Sequence, residues 1–300
     1  MLHILSIDDL TNDFLYSLWQ EAMSNKGAGN NKLKGKILTN LFYEPSTRTS
    51  SSFYSAMTRS GGAVIPINSV QFSSVAKGES LEDTIITMST MSDVIVMRHT
   101  DNGSARRASL VSRVPVINAG DGDGEHPTQT ILDGFTIYYH NNKKLSNLKV
   151  TMVGDLKNGR TVKSLVKLLG RFENNHFNFV SPEHLKFSNP FPENYYETQD
   201  INEVLQDTDV LYVTRVQKER GSLYDYSLTM NQLNLIPKRS IVMHPFPRTN
   251  EIPVEFDKDS RAKYFDQIQF GVWCRQILLE RLLIEPNEYK EMAKTLLTIK

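Results

Sequence analysis

The sequence predicts an α/β protein of two doubly wound parallel-sheet domains, with the active site in the cleft between them. Three observations carry this expectation. The chain has 300 residues, and at roughly 100–200 residues per domain two domains are the default. Short apolar runs of strand length alternate with longer segments of helical pattern, the order that builds a parallel sheet covered on both faces. The alternation breaks at the polar stretch 141–145 and then restarts, so residues 1–140 read as one domain and 141–284 as a second.

The first helix is expected over 9–22, where Leu10, Phe14, Leu18 and Ala22 recur every fourth residue and make one apolar stripe. Residues 25–34 are polar with glycines and read as a surface loop. A buried strand follows at 37–43, a helix at 47–60, a strand at 63–67, a helix at 78–91 and a strand at 94–97. A short helix at 104–111 and a strand at 114–118 come next. Pro127, preorganised for a first helical position, opens a helix running to about residue 140. In the second half, 149–153 reads as a strand and 160–169 as a helix, with further strands at 177–180, 210–214 and 240–243. Residues 181–196 hold three prolines and read as a loop, and helices are expected at 267–283 and 287–299.

Composition narrows the function. Thirty-four Lys and Arg balance thirty-four Asp and Glu, which argues against nucleic acid or membrane binding driven by bulk positive charge. The hydrophobic share, 39%, is ample for a sizeable core. The single cysteine, Cys274, excludes an intrachain disulfide and a cysteine-rich zinc site. No apolar run approaches the ~20 residues of a membrane span. No Lys or Arg precedes Lys26, unlike the start of a secretory signal, so a cytoplasmic protein is expected.

Open α/β sheets bind ligands at the carboxyl ends of their strands. After the strand at 37–43 come Ser46, Thr47, Arg48 and Thr49, hydroxyls and a guanidinium on a turn that opens a helix. Free N–H groups and the helix dipole make such a turn an anion site, although an ordinary Ser/Thr cap with a solvated Arg would look the same. Arg98 and His99 follow the strand at 94–97, with His99 read as structural. His126 follows a glycine-rich stretch and stands just before a helix, where a neutral imidazole can donate to a carbonyl, or simply serve the loop. After 149–153, Gly154 to Thr161 is one residue from a P-loop, with Arg160 where that pattern needs Lys. Arg48, Arg98, Arg160, Arg215 and Arg248 thus stand at strand ends in a chain of zero net charge, which suggests a focused anionic pocket. There is no paired catalytic carboxylate, His-Glu-x-x-His motif or activated nucleophile, so the pattern suits positioning and charge stabilisation of two anionic substrates.

Seven segments, in order, closely resemble the catalytic chains of the aspartate carbamoyltransferase family, within the aspartate/ornithine carbamoyltransferase superfamily. They are Phe42-Tyr43-Glu44-Pro45-Ser46-Thr47-Arg48-Thr49, Lys77-Gly78-Glu79-Ser80, Val96-Met97-Arg98-His99, His126-Pro127-Thr128-Gln129-Thr130, the run from Val153 to Thr161, the run from Thr214 to Arg220, and His244-Pro245-Phe246-Pro247-Arg248. The resemblance covers nearly the whole chain. It implies transfer of the carbamoyl group of carbamoyl phosphate to L-aspartate, an early step of pyrimidine synthesis, with no cofactor and no catalytic metal. It implies that Ser46, Thr47, Arg48 and Thr49 cradle the phosphate, that Thr49, Arg98 and His126 polarise the carbamoyl carbonyl, and that Gln129 lies near the carbamoyl nitrogen. Pro245 and Phe246 would offer backbone carbonyls, and Arg160, Arg215 and Gln217 would hold the aspartate carboxylates. It further implies a homotrimer with shared sites, Ser73 and Lys77 reaching into the neighbouring one, and a last helix, 285–300, that joins the first domain. Whether a regulatory chain binds is not written in the sequence. Departures from the family pattern are Phe246 for Leu, Thr249-Asn250-Glu251 for Val-Asp-Glu, and Ala76 where some members have a second Lys.

Three rival readings differ at named residues. The ornithine-specific sister family typically shows His-Cys-Leu-Pro where this chain has His244-Pro245-Phe246-Pro247, and Arg215 and Gln217 suit a second carboxylate better than an ammonium group. A non-catalytic paralogue would be expected to lose some of the matched residues. A nucleotide triphosphatase would need Lys at position 160.

Overall fold

The computed structural model describes residues 2–68, 77–188, 190–215 and 226–284. Ser73, Gln217 and the helix expected at 285–300 lie outside the described residues. The described residues divide into two compact units, one up to Leu132 together with those from Gln269 onward, and the other Asp133–Ile268. The sequence placed these divisions at 140 and 284; in the structure each falls inside a long helix rather than in the polar stretch 141–145.

In the first unit, helix α1 (Asn12–Asn25) is capped by Thr11, whose hydroxyl accepts the Phe14 N–H at 3.2 Å. The expected start at residue 9 fails for a local reason. Ser6 and Asp9 form a reciprocal capping box around a separate 3₁₀ turn, Ile7–Asp9, so the α-helix waits for the next cap. Strands β1 (Ile37–Phe42) and β2 (Ala63–Ile67) flank α2 (Thr47–Arg59). Helix α3 (Leu81–Ser89) starts later than residue 78 because Ser80 is its cap, accepting the Asp83 N–H at 3.1 Å. Strand β3 (Val94–His99), helix α4 (Ser104–Val111), strand β4 (Val116–Asp121) and helix α5 (Pro127–His140) complete the order. The sheet runs β2-β1-β3-β4, all parallel. Five of the six residues of β1 are buried, as expected of a strand covered on both faces.

The second unit holds β5 (Lys149–Val153), α6 (Arg160–Leu169), β6 (His176–Val180), β7 (Tyr195–Thr198), β8 (Val210–Val213), α7 (Met230–Leu235) and β9 (Ile241–Met243), and the chain enters α8 (Tyr264–Ile284). Its sheet runs β7-β6-β5-β8-β9, again all parallel. The core of this sheet gathers Val153, Val180, Leu211, Val213, Val242, Phe256 and Tyr264, all buried. Among the described strands and α-helices of this unit, two escape the sequence reading. Strand β7 is a four-residue edge strand at the end of the proline-bearing stretch, and α7 is a six-residue helix closed by a Thr229–Gln232 capping box. No described helix is long and apolar enough to cross a membrane.

Each sheet has one place where the strand order reverses. In the first, the chain passes from β1 out to β2 and then returns to β3 on the other side of β1. In the second, β5 leads outward through β6 and β7, and β8 returns to the other side of β5. Ligands of open α/β sheets bind beyond the carboxyl ends at such switch points. At the second one the backbones come close: Gly154 has φ +118°, and a Cβ there would lie 2.4 Å from the Thr214 carbonyl oxygen and 2.6 Å from its hydroxyl. Gly154→Ala should therefore destabilise the fold by at least ~2 kcal/mol, from left-handed backbone cost plus overlap with main chain. Urea unfolding checks this, and a variant within ~0.5 kcal/mol of the parent would contradict it.

Candidate active site

The first switch point collects most of the residues expected to meet a phosphate. Ser46 is the N-cap residue of α2 but makes no side-chain cap bond there. Its hydroxyl instead accepts from Arg98 Nη1 at 3.4 Å, across from β1 to the end of β3. Arg98 Nε donates to Glu44 Oε2 at 3.0 Å, and the Arg98 backbone carbonyl accepts the Tyr43 N–H at 2.9 Å. Both side chains of that ion pair are about one-fifth exposed, so the carboxylate holds the guanidinium in one orientation with limited screening. The Glu44 contact is absent from the sequence reading. Thr47 and Arg48 are exposed on the first turn of α2, and Thr49 is buried.

Thr49 reaches the third strand end. Its Oγ1 lies 3.5 Å from His126 Nε2, and Thr128 Oγ1 lies 3.4 Å from His126 Nδ1. His126 is 4% exposed, with a ring set by hydroxyls on both sides. The loop before it is pinned. Asp121 Oδ1 accepts from Asn118 Nδ2 and from the Glu125 N–H, each at 3.0 Å, and Glu125 accepts from the Ser6 hydroxyl at 2.8 Å and the Ile7 N–H at 3.1 Å. Gln129, in the next turn of α5, is half-buried. Underneath lies Arg275 of α8, 4% exposed, which donates to Ser52 Oγ at 2.9 Å and to Thr128 Oγ1 at 3.5 Å and sits over the Phe53 ring at 5.1 Å. One buried cation thus ties α2 to α5 beneath the Thr49–His126 pair. Its signal in the sequence is a lone Arg inside the otherwise apolar face of a helix.

The second switch point carries Arg160 and Arg215. Arg160 opens α6, is 8% exposed, and follows a turn built on fully buried Asp155, which accepts from the Asn158 N–H at 3.0 Å. Arg215 stands two residues past β8, half-buried. β5 and β8 are paired neighbours, with Val153 opposite Val213, so the two arginines follow adjacent strand ends. Pro245 and Phe246 follow β9, the next strand. Lys77 is exposed on the segment leading into α3, after the edge strand β2. Arg248, grouped by sequence with the strand-end cations, makes a two-pronged pair with Asp257 through Nη1–Oδ1 and Nη2–Oδ2 and so belongs to the fold. The His99 ring packs at a tilt of 50° against Tyr43 with centroids 4.4 Å apart, and burial lowers its pKa.

Behind Pro245 and Phe246 lies a buried polar chain. Asp133 accepts from Tyr212 Oη at 2.7 Å and from Gln267 Nε2 at 2.6 Å. Gln267 Oε1 accepts the His244 N–H at 3.0 Å, and His244 Nδ1 accepts the Phe246 N–H at 2.9 Å. Burial, with Asp133 alongside, pushes the Tyr212 phenol well above its usual range.

Comparison with known proteins decides the family. Residues 2–139 match the carbamoyl-P binding domain of aspartate/ornithine carbamoyltransferases, and residues 146–282 match their Asp/Orn binding domain. The chain belongs to the aspartate/ornithine carbamoyltransferase family. It is 44% identical to the aspartate carbamoyltransferase catalytic subunit of Methanocaldococcus jannaschii, over 96% of this chain and 99% of that one. It is 45% identical to that of Thermoplasma acidophilum, over 93% and 97%. Among solved structures it is similar to the aspartate transcarbamoylase of Trypanosoma cruzi in complex with carbamoyl phosphate and aspartate, with a TM-score of 0.87 and 37% identity over 94% of this chain and 96% of that one. The M. jannaschii catalytic subunit gives a TM-score of 0.87 and 42% identity over 96% and 99%.

Glu251 yields a pH prediction. Burial opposes its charge, but the neighbouring His244 ring, with Nε2 3.7 Å from Oε2, and hydrogen bonds from the Thr249 and Glu251 backbone N–H groups outweigh that cost and hold its pKa at about 2, against 4.5 for a free side chain. A depressed carboxyl stabilises the fold above pH ~4.5, and that contribution is lost as pH falls toward ~2. In urea unfolding, the advantage of the parent over Glu251→Gln should be full at pH 7 and shrink between pH ~4.5 and ~3. A difference that does not change with pH would contradict this.

Proposed function

We propose that this chain is an aspartate carbamoyltransferase, transferring the carbamoyl group of carbamoyl phosphate to L-aspartate to give N-carbamoyl-L-aspartate and phosphate, a step of pyrimidine biosynthesis. The observation that carries the choice of acceptor is the pair Arg160 and Arg215, which follow neighbouring strands at the second switch point. Two guanidiniums suit a dicarboxylate, whereas the ammonium group of ornithine would meet like charge. The sister family's cysteine is absent from 244–247, and Cys274, the only cysteine, is buried elsewhere.

In this reading Ser46, Thr47, Arg48 and Thr49 hold the phosphate at the start of α2, where backbone N–H groups and the dipole favour an anion. Ser73 and Lys77 belong to the same anionic subsite but serve the neighbouring copy of a homotrimer, and Lys77 also touches its aspartate. Arg160, Arg215 and Gln217 bind the aspartate carboxylates. The aspartate amine attacks the carbamoyl carbon, a C–N bond forms, and the carbonyl oxygen takes up negative charge. Thr49, Arg98 and His126 stabilise that oxyanion. Its collapse breaks the C–O bond to phosphorus. Phosphate leaves with the electron pair, and the amine proton passes to phosphate or solvent. Gln129 and the carbonyls of Pro245 and Phe246 orient the carbamoyl nitrogen. The Glu44 carboxylate keeps the Arg98 fork aimed, so the chemistry relies on preorganised charge. A lone buried cysteine fits a cytoplasmic, reducing setting.

Product analysis with aspartate and ornithine in parallel tubes tests the reaction. Carbamoyl-aspartate alone is expected, and citrulline would move the chain to the sister activity and void the roles of Arg215 and Gln217. Arg48→Ala should lower kcat/KM by about 10²–10³-fold with the thermal transition nearly unchanged, because the residue is exposed and serves charge rather than core. Near-parental activity would remove Arg48 from the phosphate site. Mixing dissociated Lys77→Ala and Arg48→Ala chains and reassociating them should restore part of the activity, since some mixed trimers contain an intact shared site. No recovery would count against the shared site.

A further inference from the structure

We propose that His244 is a positioning residue for the carbamoyl group: a buried hydrogen-bond relay through it turns the Pro245 carbonyl outward to accept from an amide N–H of the ligand. This rests on the reading of Pro245 and Phe246 as part of the carbamoyl phosphate site.

The relay starts at Asp133, fully buried, whose two oxygens accept from Tyr212 and Gln267. Because Gln267 Nε2 is committed to Asp133, its Oε1 is fixed as the acceptor for the His244 N–H at 3.0 Å. His244, 1% exposed, in turn accepts the Phe246 N–H at Nδ1. An acceptor at Nδ1 carries no proton, so the ring proton sits on Nε2, which faces Glu251 Oε2 at 3.7 Å. The tautomer is thereby set from both sides.

The consequence for the ligand comes from peptide planarity. The Pro245–Phe246 bond is trans, the cis bond being the one that follows. In a trans peptide the C=O and N–H point in opposite directions. With the Phe246 N–H drawn inward to His244, the Pro245 carbonyl must point away from the buried relay. Phe246 holds the turn from its other side. It has φ +55°, and its ring lies against Tyr264 and Phe265 with centroids 5.9 Å away in each case. Pro245 and Phe246 are themselves half-buried, so this carbonyl lies at the edge of the packed region. A carbonyl aimed this way serves a ligand that carries N–H groups and does nothing for a bare phosphate.

That distinction supplies the test. Binding of phosphonoacetamide, which has both an anionic and an amide end, is compared with binding of inorganic phosphate, using the full-length chain. Two substitutions separate the ring nitrogens. His244→Asn places an acceptor near the Nδ1 position, and His244→Gln places one near Nε2 and leaves the Phe246 N–H without its partner. His244→Gln is expected to weaken phosphonoacetamide about tenfold while phosphate stays within about twofold, and His244→Asn should recover most of the loss. Equal weakening of both ligands, no weakening of the amide, or an Asn variant no better than the Gln variant would overturn the positioning role. Should His244→Gln not fold, Gln267→Met breaks the relay one link earlier. It should weaken the amide selectively, and equal or absent losses there would overturn the proposal. A parent chain that binds phosphate but not phosphonoacetamide would sink the underlying carbamoyl site, and this inference with it. Binding of both by the parent with unresponsive variants would sink the inference alone.

Discussion

The constraint on which the rest depends is the reversal of strand order within a parallel sheet. Connections between parallel strands must cross over, and their right-handedness fixes which face each helix covers. When the chain leaves β1 in one direction and later β3 in the other, the helices that follow lie on opposite faces, and the loops at the carboxyl ends of those neighbours part. The same happens at β5 and β8. Most of the described candidate site residues follow one of these strands or the strand next to it. Ser46 to Thr49 and Arg98 attach to the first reversal, with His126 one strand along. Gly154, Arg160 and Arg215 attach to the second, with Pro245 and Phe246 one strand along.

Around that framework charge is arranged rather than accumulated. The chain is neutral as a whole, yet two kinds of arginine stand out among the described residues. Some are internal ties. Arg248 is locked to Asp257, Arg261 donates to the Leu233 and Ile236 carbonyls and to Asp259, and Arg281 binds Glu21. Others stand at strand ends, and of these Arg98 is both aimed and restrained by Glu44. A guanidinium pre-oriented by a partner loses less freedom when a ligand arrives, which is why the pair matters more for ligand geometry than for net stability.

Much of this was legible in the sequence where punctuation is strong. β2, α4, α5, β5 and α6 have the bounds the pattern predicts, because Pro127, the Gly61-Gly62 pair and polar stretches mark their limits. Errors fall where a local side chain chooses the boundary, as Thr11 and Ser80 do for α1 and α3. They also fall where an element is too short to carry a period, as with β7 and α7. Strand-end residues could be named because topology alone puts them at a ligand edge. What pattern could not supply is pairing at long separation. Gln267 and Asp133 are 134 positions apart, and the Arg275–Thr128 contact spans 147. Periodicity carries no information on which buried polar groups find each other.

The left-handed conformation of Phe246 has a wider meaning. A glycine would adopt φ +55° at little cost, whereas a residue with a side chain pays backbone strain that its surroundings must offset. Here the surroundings are an aromatic cluster and a histidine acceptor, so the segment is ordered as part of folding. A glycine in its place would leave the segment to be ordered at each encounter with ligand, and that entropy would be charged against affinity. The bulky residue instead places that ordering in the one-time event of folding, through its ring contacts and the histidine acceptor.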